Sequence, residues 1–250
     1  MKVSVVVPCY NEEFVIAETN SQLNSVLSSC FEDYEIVYVN DGSKDGTKAL
    51  LLAFRDKFPN IKSIHFSRNF GHQPAVSAGI KNASGDYIVI IDADLQDPPS
   101  LIPEMVKKAQ EENANVVYAV RKTRLGESWF KKITAKYYYR LINSMSETQL
   151  PLDTGDFRLI DRKVADVFNK IEERQKYIRG IITWIGFKQV PIEYDREERF
   201  AGETHYPLSK MIQFAMRGLL YFSKKPLTLA TNLGLTLVAL SVLFFYRTIR

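Results

Sequence analysis

The sequence predicts an α/β fold: a mainly parallel sheet with helices on both faces, then amphipathic interfacial helices and a C-terminal transmembrane helix. Three observations carry this reading. Up to about Arg121, short runs rich in β-branched and aromatic residues alternate with stretches of helical periodicity, the pattern of βαβ units. With 46% hydrophobic and 25% charged residues, the composition is that of a chain able to bury a core. Finally, Leu227 to Tyr246 is about twenty residues without a charge, roughly 30 Å as a helix and long enough to cross a bilayer core.

Each element follows in order. Val3–Val7 forms the first strand and turns at Pro8 too early for the apolar core of a signal peptide. Helical patterns cover Glu13–Leu27, Thr47–Phe58, Pro74–Lys81 and Ser100–Glu111, and strands cover Glu35–Asn40, Ile61–Phe66, Tyr87–Ile91 and Val116–Val120. From roughly Gly126 to Arg174 the pattern loosens. An aromatic and basic helix, Trp129–Asn143, leads to a polar turn from Asp153 to Arg158, then another helix and the strand-like Phe187–Tyr194. Residues 1–200 therefore read as a cytosolic domain, 201–225 as interfacial helices and 226–247 as the span.

In Pro207–Ser223, apolar residues such as Leu208, Met211, Ile212 and Leu219 recur at helical spacing, while Lys210, Arg217 and Lys224 share another face. That layout suits a helix in the headgroup layer with its cations toward anionic lipid. Packing against the preceding domain is the alternative. Lys224-Lys225 before the span follow the positive-inside rule, and Arg247 beyond it weakens the bias. A return span beyond residue 250 is expected.

The net charge of +4 is too small to indicate nucleic acid as a partner. Cys9 and Cys30 lack metal-ligand spacing and do not suggest a disulfide framework, so a reducing compartment is the default.

Ligands of parallel sheets sit outside the carboxyl ends of the strands, so the polar residues there are the ones to read. The strand ending at Ile91 runs into Asp92-Ala93-Asp94-Leu95-Gln96-Asp97. In extended chain, positions two apart point the same way, so Asp92 and Asp94 project together. Such carboxylates repel unless a cation lies between them, and hard oxygen ligands select Mg²⁺ or Mn²⁺. Ala93 lets a ligand approach the backbone, and Gln96 is a candidate third ligand. A lone Asp-x-Asp is equally a polar strand end before Pro98-Pro99.

No glycine-rich cradle follows the first strand, so phosphate must be met by metal and side chains. Tyr10 can stack on a base, and Glu12 can accept from a base or ribose. Asn11 is as well explained as a helix cap. Asp41 can accept from a pyrimidine N–H or a ribose hydroxyl, whereas Asp45 or Thr47 can simply cap the next helix. Arg68 and Asn69 follow the third strand within reach of a nucleotide, and Gly71 permits a tight turn.

Taken together, Val-Val-Val-Pro-Cys-Tyr-Asn-Glu-Glu (5–13), Asn-Asp-Gly-Ser-Lys-Asp-Gly-Thr (40–47), Ser-Arg-Asn-Phe-Gly (67–71) and Asp-Ala-Asp-Leu-Gln-Asp-Pro-Pro (92–99) resemble the inverting family-two glycosyltransferases of GT-A fold. Within them the chain is similar to the polyprenyl-phosphate branch, the dolichol-phosphate mannose synthases and bactoprenol glucosyltransferases. The likeness continues through Thr-Gly-Asp-Phe-Arg (154–158), Tyr-Ile-Arg-Gly (177–180) and Arg-Phe-Ala-Gly-Glu-Thr (199–204). The resemblance implies that Asp92, Asp94 and Gln96 form the metal and diphosphate site. It implies nucleotide positions at Pro8, Tyr10, Glu12 and Asp41, a catalytic aspartate at Asp156, and a cation facing the acceptor or donor phosphates at Arg199. Two departures stand out. His205 occupies a position where the family pattern has lysine, and Gln175 to Arg179 lacks the tryptophan of the processive Gln-x-x-Arg-Trp signature.

The expected reaction is transfer of a hexosyl group from a nucleotide sugar, best matched by UDP-glucose, to a polyprenyl phosphate such as undecaprenyl phosphate. It is expected to be inverting and metal-dependent, at the cytoplasmic face of a membrane. Arg158, Arg179, Arg199 and Lys210 are candidates to counter the acceptor's phosphate charge. GDP-mannose or a UDP-linked aminopentose as donor, and a non-catalytic membrane-anchored binding protein, are the alternatives. A homo-oligomer is compatible with all of these.

Overall fold

The computed structural model describes residues 1–121, 154–173, 176–195 and 225–249. The chain divides into two compact units, 1–126 with 151–203, and 127–150 with 204–250.

The first unit is organised by β1 (Lys2–Cys9), whose run of valines is buried on both faces. Because strand side chains alternate, Val3, Val5, Val7 and Cys9 enter one core and Val6 the other. β1 pairs in parallel with β2 (Asp33–Asn40) on one side and β4 (Tyr87–Ile90) on the other, and β3 (Ile61–His65) extends β2. β5 (Val116–Arg121), β6 (Thr154–Asp161) and β7 (Gln189–Tyr194) complete a seven-stranded sheet of order β3-β2-β1-β4-β6-β5-β7.

Helices cover both faces, as the alternation predicts. On one side lie α1 (Ile16–Cys30), α2 (Thr47–Lys57) and α4 (Ile102–Glu111), with Leu23, Leu27, Leu51, Met105 and Val106 against the odd-numbered residues of β1. On the other lie α3 (His72–Asn82), α5 (Arg162–Lys170) and α6 (Ile178–Ile185), through Val76, Ile80, Phe168 and Ile182. Burying each such side chain contributes about 1.5–3 kcal/mol before entropy is charged.

The polar turn expected at Asp153 to Arg158 is instead the start of β6, antiparallel to both β4 and β5. Two-sided pairing overrides the turn propensity of Thr-Gly-Asp. Alternation sends Phe157 and Leu159 into the α1–α4 core and Ile160 into the α3–α6 core, so Asp156 and Arg158 share the latter side. Since β6 runs against its neighbours, its first residues lie at the carboxyl edge of the parallel strands.

In the second unit, α7 (Lys225–Ile249) is a single helix whose segment Ala230–Ile249 is long and apolar enough to cross a membrane. The interfacial stretch, with Lys210, lies outside the described residues, as do Arg199, His205 and Gln175.

Candidate active site

The carboxyl ends of β1 and β2 are tied together by their own polar residues. Thr47 Oγ1 accepts from the Glu12 backbone N–H at 2.8 Å, and Asp45 Oδ2 accepts from that of Glu13 at 3.2 Å. Glu13 Oε2 in turn accepts from Gly46 N–H at 2.6 Å. Asn11 is no helix cap, because α1 begins later, at Ile16. Its Oδ1 accepts from Lys44 N–H at 2.9 Å, and it takes the left-handed conformation that asparagine tolerates. Tyr10 stands exposed above this platform, while Pro8 is buried in the strand.

Asp41 is buried, and its two carboxylate oxygens accept from the backbone N–H groups of Phe70 at 2.7 Å and Gly71 at 2.9 Å. It thereby fastens the 68–71 loop to the end of β2. Gly42 completes the fastening: a Cβ there would lie 2.3 Å from the Arg68 carbonyl carbon, and its φ of 68° disfavours any other residue. Arg68 is exposed, with its guanidinium 4.2 Å from the centre of the Phe70 ring.

The segment after β4 is not extended, contrary to the expectation that set Asp92 and Asp94 side by side. It turns at once, because Leu95 adopts a φ of 56° ahead of Pro98-Pro99. A buried leucine in that conformation is strained and persists only where its surroundings impose it. Here Thr19 of α1 donates to the Ala93 carbonyl at 2.7 Å, and the Tyr194 hydroxyl of β7 donates to Asp97 Oδ1. Asp94 is buried and accepts from Gln96 N–H at 3.2 Å, whereas Asp92 keeps 38% of its side chain exposed.

His72, which stands outside every motif singled out in the sequence, joins this turn to β6. Its Nε2 lies 3.1 Å from Asp156 Oδ2 and 3.8 Å from Asp92 Oδ1. Arg179 of α6 holds the other oxygen, with Nε donating to Asp156 Oδ1 at 2.6 Å. Gln73 Oε1 accepts from the Ile178 N–H at 2.9 Å, capping the helix that carries Arg179. The only signal of His72 in the sequence was its place two residues beyond the aromatic of Ser-Arg-Asn-Phe-Gly.

The electrostatics follow from this crowding. Burial pushes the Asp92 carboxyl up to about 6; Asp156, Asp97 and Asp94 add to the rise, and His72 opposes it. Burial disfavours a charged His72, yet its hydrogen bond to Asp156 and the Asp92 and Asp156 charges raise it to about 9. Asp156 would likewise rise on burial, but Arg179 and His72 hold it well below the usual carboxylate range. Arg158 is buried beside them; burial lowers it to about 10, and its Nε lacks a partner among the described residues. Its terminal nitrogen donates to the Gly155 carbonyl at 3.1 Å.

Among the described residues, no three His, Cys, Asp or Glu side chains are placed to hold a metal ion by themselves. Asp92, Asp94 and Gln96 on this turn are oxygen donors of the type a divalent cation takes, and they would hold one only with the remaining shell from phosphate and water. Burial is the main cause of the Asp92 rise, and the part that Asp156, Asp97 and Asp94 add is what such a cation would relieve.

The profile of Glycosyl transferase family 2 matches residues 4–168, which hold most of β1, all of β2 to β6 and the site residues from Pro8 to Arg158. This chain belongs to that family. As a glycosyltransferase it is 50% identical over 243 residues to the uncharacterized glycosyltransferase YkcC of Bacillus subtilis, covering 97% of this chain and 75% of that one. The Escherichia coli prophage bactoprenol glucosyl transferase homolog is 39% identical, with 98% and 79% covered. The fold is shared with glucosyl-3-phosphoglycerate synthase from Mycobacterium tuberculosis, solved with Mn²⁺, UDP-glucose and phosphoglyceric acid. That likeness has a TM-score of 0.56 at 19% identity and covers 88% of this chain and 79% of that one.

Proposed function

We propose that this glycosyltransferase moves a hexosyl group from a nucleotide sugar, UDP-glucose, to a polyprenyl phosphate at the cytoplasmic face of a membrane, with inversion. The observation that carries this is the approach of Asp156 to the Asp92 turn across His72: a carboxylate held beside the segment to which we assign the donor's diphosphate. The names of the bactoprenol glucosyl transferase relatives support the lipid acceptor, and Ala230–Ile249 supports a tether that keeps the enzyme where such a lipid resides.

An acceptor phosphate oxygen forms the new bond to the anomeric carbon as the bond from that carbon to the donor's diphosphate breaks, and the nucleoside diphosphate departs on the opposite face. A phosphate monoester has a second pKa of about 6 and is largely a dianion at neutral pH, so attack requires no strong base. Asp156 matches this requirement: held as a carboxylate, it is a poor proton acceptor. It can orient the acceptor or stabilise positive charge on the sugar. A bound Mg²⁺ or Mn²⁺ supplies charge neutralisation on the leaving diphosphate. We assign its protein ligands to Asp92 and Asp94 with Gln96, the nucleotide contacts to Pro8, Tyr10, Glu12, Arg68 and Ala93, and acceptor charge to Arg158, Arg179, Arg199 and Lys210. Asp41 acts on the nucleotide through the loop it fastens.

Incubating detergent-purified protein with Mn²⁺, a panel of nucleotide sugars and undecaprenyl phosphate tests the reading. Release of UDP from UDP-glucose only when lipid is present is expected. Release of GDP from GDP-mannose alone would reassign the donor, and no release from any donor would favour a binding protein.

A further inference from the structure

The first two residues of α3 have no place in the reaction as described, yet they touch both arms of the site. His72 reaches Asp156 Oδ2 at 3.1 Å and Asp92 Oδ1 at 3.8 Å, so one ring nitrogen spans the acceptor-side and donor-side carboxylates. Gln73 caps α6 at Ile178, and the next residue, Arg179, grips the opposite oxygen of Asp156. Asp156 is thus clamped on both oxygens by groups whose placement depends on this one corner.

The corner is itself anchored. Gly71, with a φ of 103°, lets the chain swing into the helix, and its N–H is held by buried Asp41. A histidine drawn toward carboxylates at a helix N-terminus runs against the helix dipole, which favours anions there. Such a local conflict marks a residue kept for its contacts rather than for helix stability.

We propose that His72, supported by Gln73, is the positioning residue that fixes Asp156 relative to the Asp92 turn, and so sets how the acceptor's phosphate meets the donor's anomeric carbon. This rests on the glycosyl-transfer reading above. It gives a buried aspartate, a fastened loop and a helix cap one shared purpose. His72 touches no substrate in this scheme; its effect passes through Asp156.

Two substitutions separate the role from simple scaffolding. His72→Leu keeps bulk and removes the donor, while in His72→Gln the amide nitrogen can stand where Nε2 stands. Kinetics with nucleotide sugar and lipid are expected to show kcat at least tenfold lower for His72→Leu, with KM for the nucleotide sugar within about threefold, as loss of a transition-state interaction requires. His72→Gln should recover most of the loss. Calorimetric titration with Mn²⁺ and nucleoside diphosphate should show no weaker affinity in His72→Leu, because the substitution removes a cation 3.8 Å from Asp92 and takes no ligand from the donor side. Unchanged kcat in His72→Leu would overturn the proposal. So would loss of diphosphate affinity together with melting temperature, the mark of a scaffold residue.

A third arm does not need turnover. The chain has three histidines, so ring-nitrogen NMR of histidine-labelled protein can follow each. Asp156→Asn should move the His72 signal and leave that of His65, in β3, in place. A stationary His72 signal would overturn the proposal. If the signal moves but wild-type protein turns over no donor, the glycosyl-transfer reading fails while the His72–Asp156 coupling stands.

Discussion

At the amino edge of the sheet, far along the strands from the candidate site, Glu35 is buried with only 3% of its side chain exposed. Its Oε1 accepts from Ser4 Oγ at 2.6 Å, from Ser84 N–H at 2.6 Å and from Ser84 Oγ at 3.0 Å, and Lys62 Nζ lies 2.7 Å from Oε2. Burial opposes the charge, but Lys62 and these donors win and lower the carboxyl from 4.5 to about 2. A shift of that size corresponds to about 3 kcal/mol of folding stability. Lys62 is 49% exposed, so solvent screening discounts it to about 2 kcal/mol.

Because the folded value is depressed, this stability is present in full above about pH 4.5 and lost as pH falls toward 2. Glu35→Gln should therefore melt about 4–8 °C below wild type at pH 7 for a domain of this size. Tryptophan fluorescence on detergent-solubilised protein measures the gap at pH 7, 5 and 3. The gap should hold between pH 7 and pH 5 and narrow by about half at pH 3. A gap that is absent at pH 7, or undiminished at pH 3, would refute the assignment of stability to the Glu35 charge.

Three more outcomes are expected. Asp156→Asn should lower kcat by about a hundredfold, the scale of losing one preorganised electrostatic contact, and unchanged turnover would remove Asp156 from the reaction. EDTA should abolish nucleoside diphosphate release. With cation restored, Mn²⁺ affinity should weaken as pH falls through about 6, where a proton competes for Asp92; a flat profile from pH 7.5 to 5.5 would exclude Asp92 as a ligand. Gly79→Ala places a Cβ 2.2 Å from Val6 Cγ1 at the α3–β1 contact, so overpacking of about 1–3 kcal/mol exceeds the helix-propensity gain of about 1. The melting temperature should drop, and Val6→Ala in the same chain should restore part of it.

The parallel half of the sheet was legible because its signal is local: β1 to β5 are short apolar runs rich in β-branched and aromatic residues, bounded by turn residues. Helix ends were less so. α3 starts at His72 rather than Pro74, since proline is tolerated in a first turn, and that offset hid both residues of the corner. β6 was hidden for the opposite reason: its site-facing end is polar, and only pairing with β4 and β5 reveals it as a strand. At the site, Asp92, Asp94 and Asp156 were legible as residue types. Their joining through His72, and the commitment of Asp41 to backbone donors, depend on contacts between residues 20 to 84 positions apart, which no local pattern encodes.

The reversed direction of β6 has a consequence for how such an enzyme can be altered. Val120 of β5 sits opposite Thr154 of β6, so the chain leaves and re-enters the sheet through one narrow neck, two residues before Asp156. Just past Asp156, Arg158 is paired with Ile90 of β4 on one side and Tyr118 of β5 on the other, so the strand that carries the carboxylate is held from both sides, and a substitution that weakens one ladder leaves the other to keep its register.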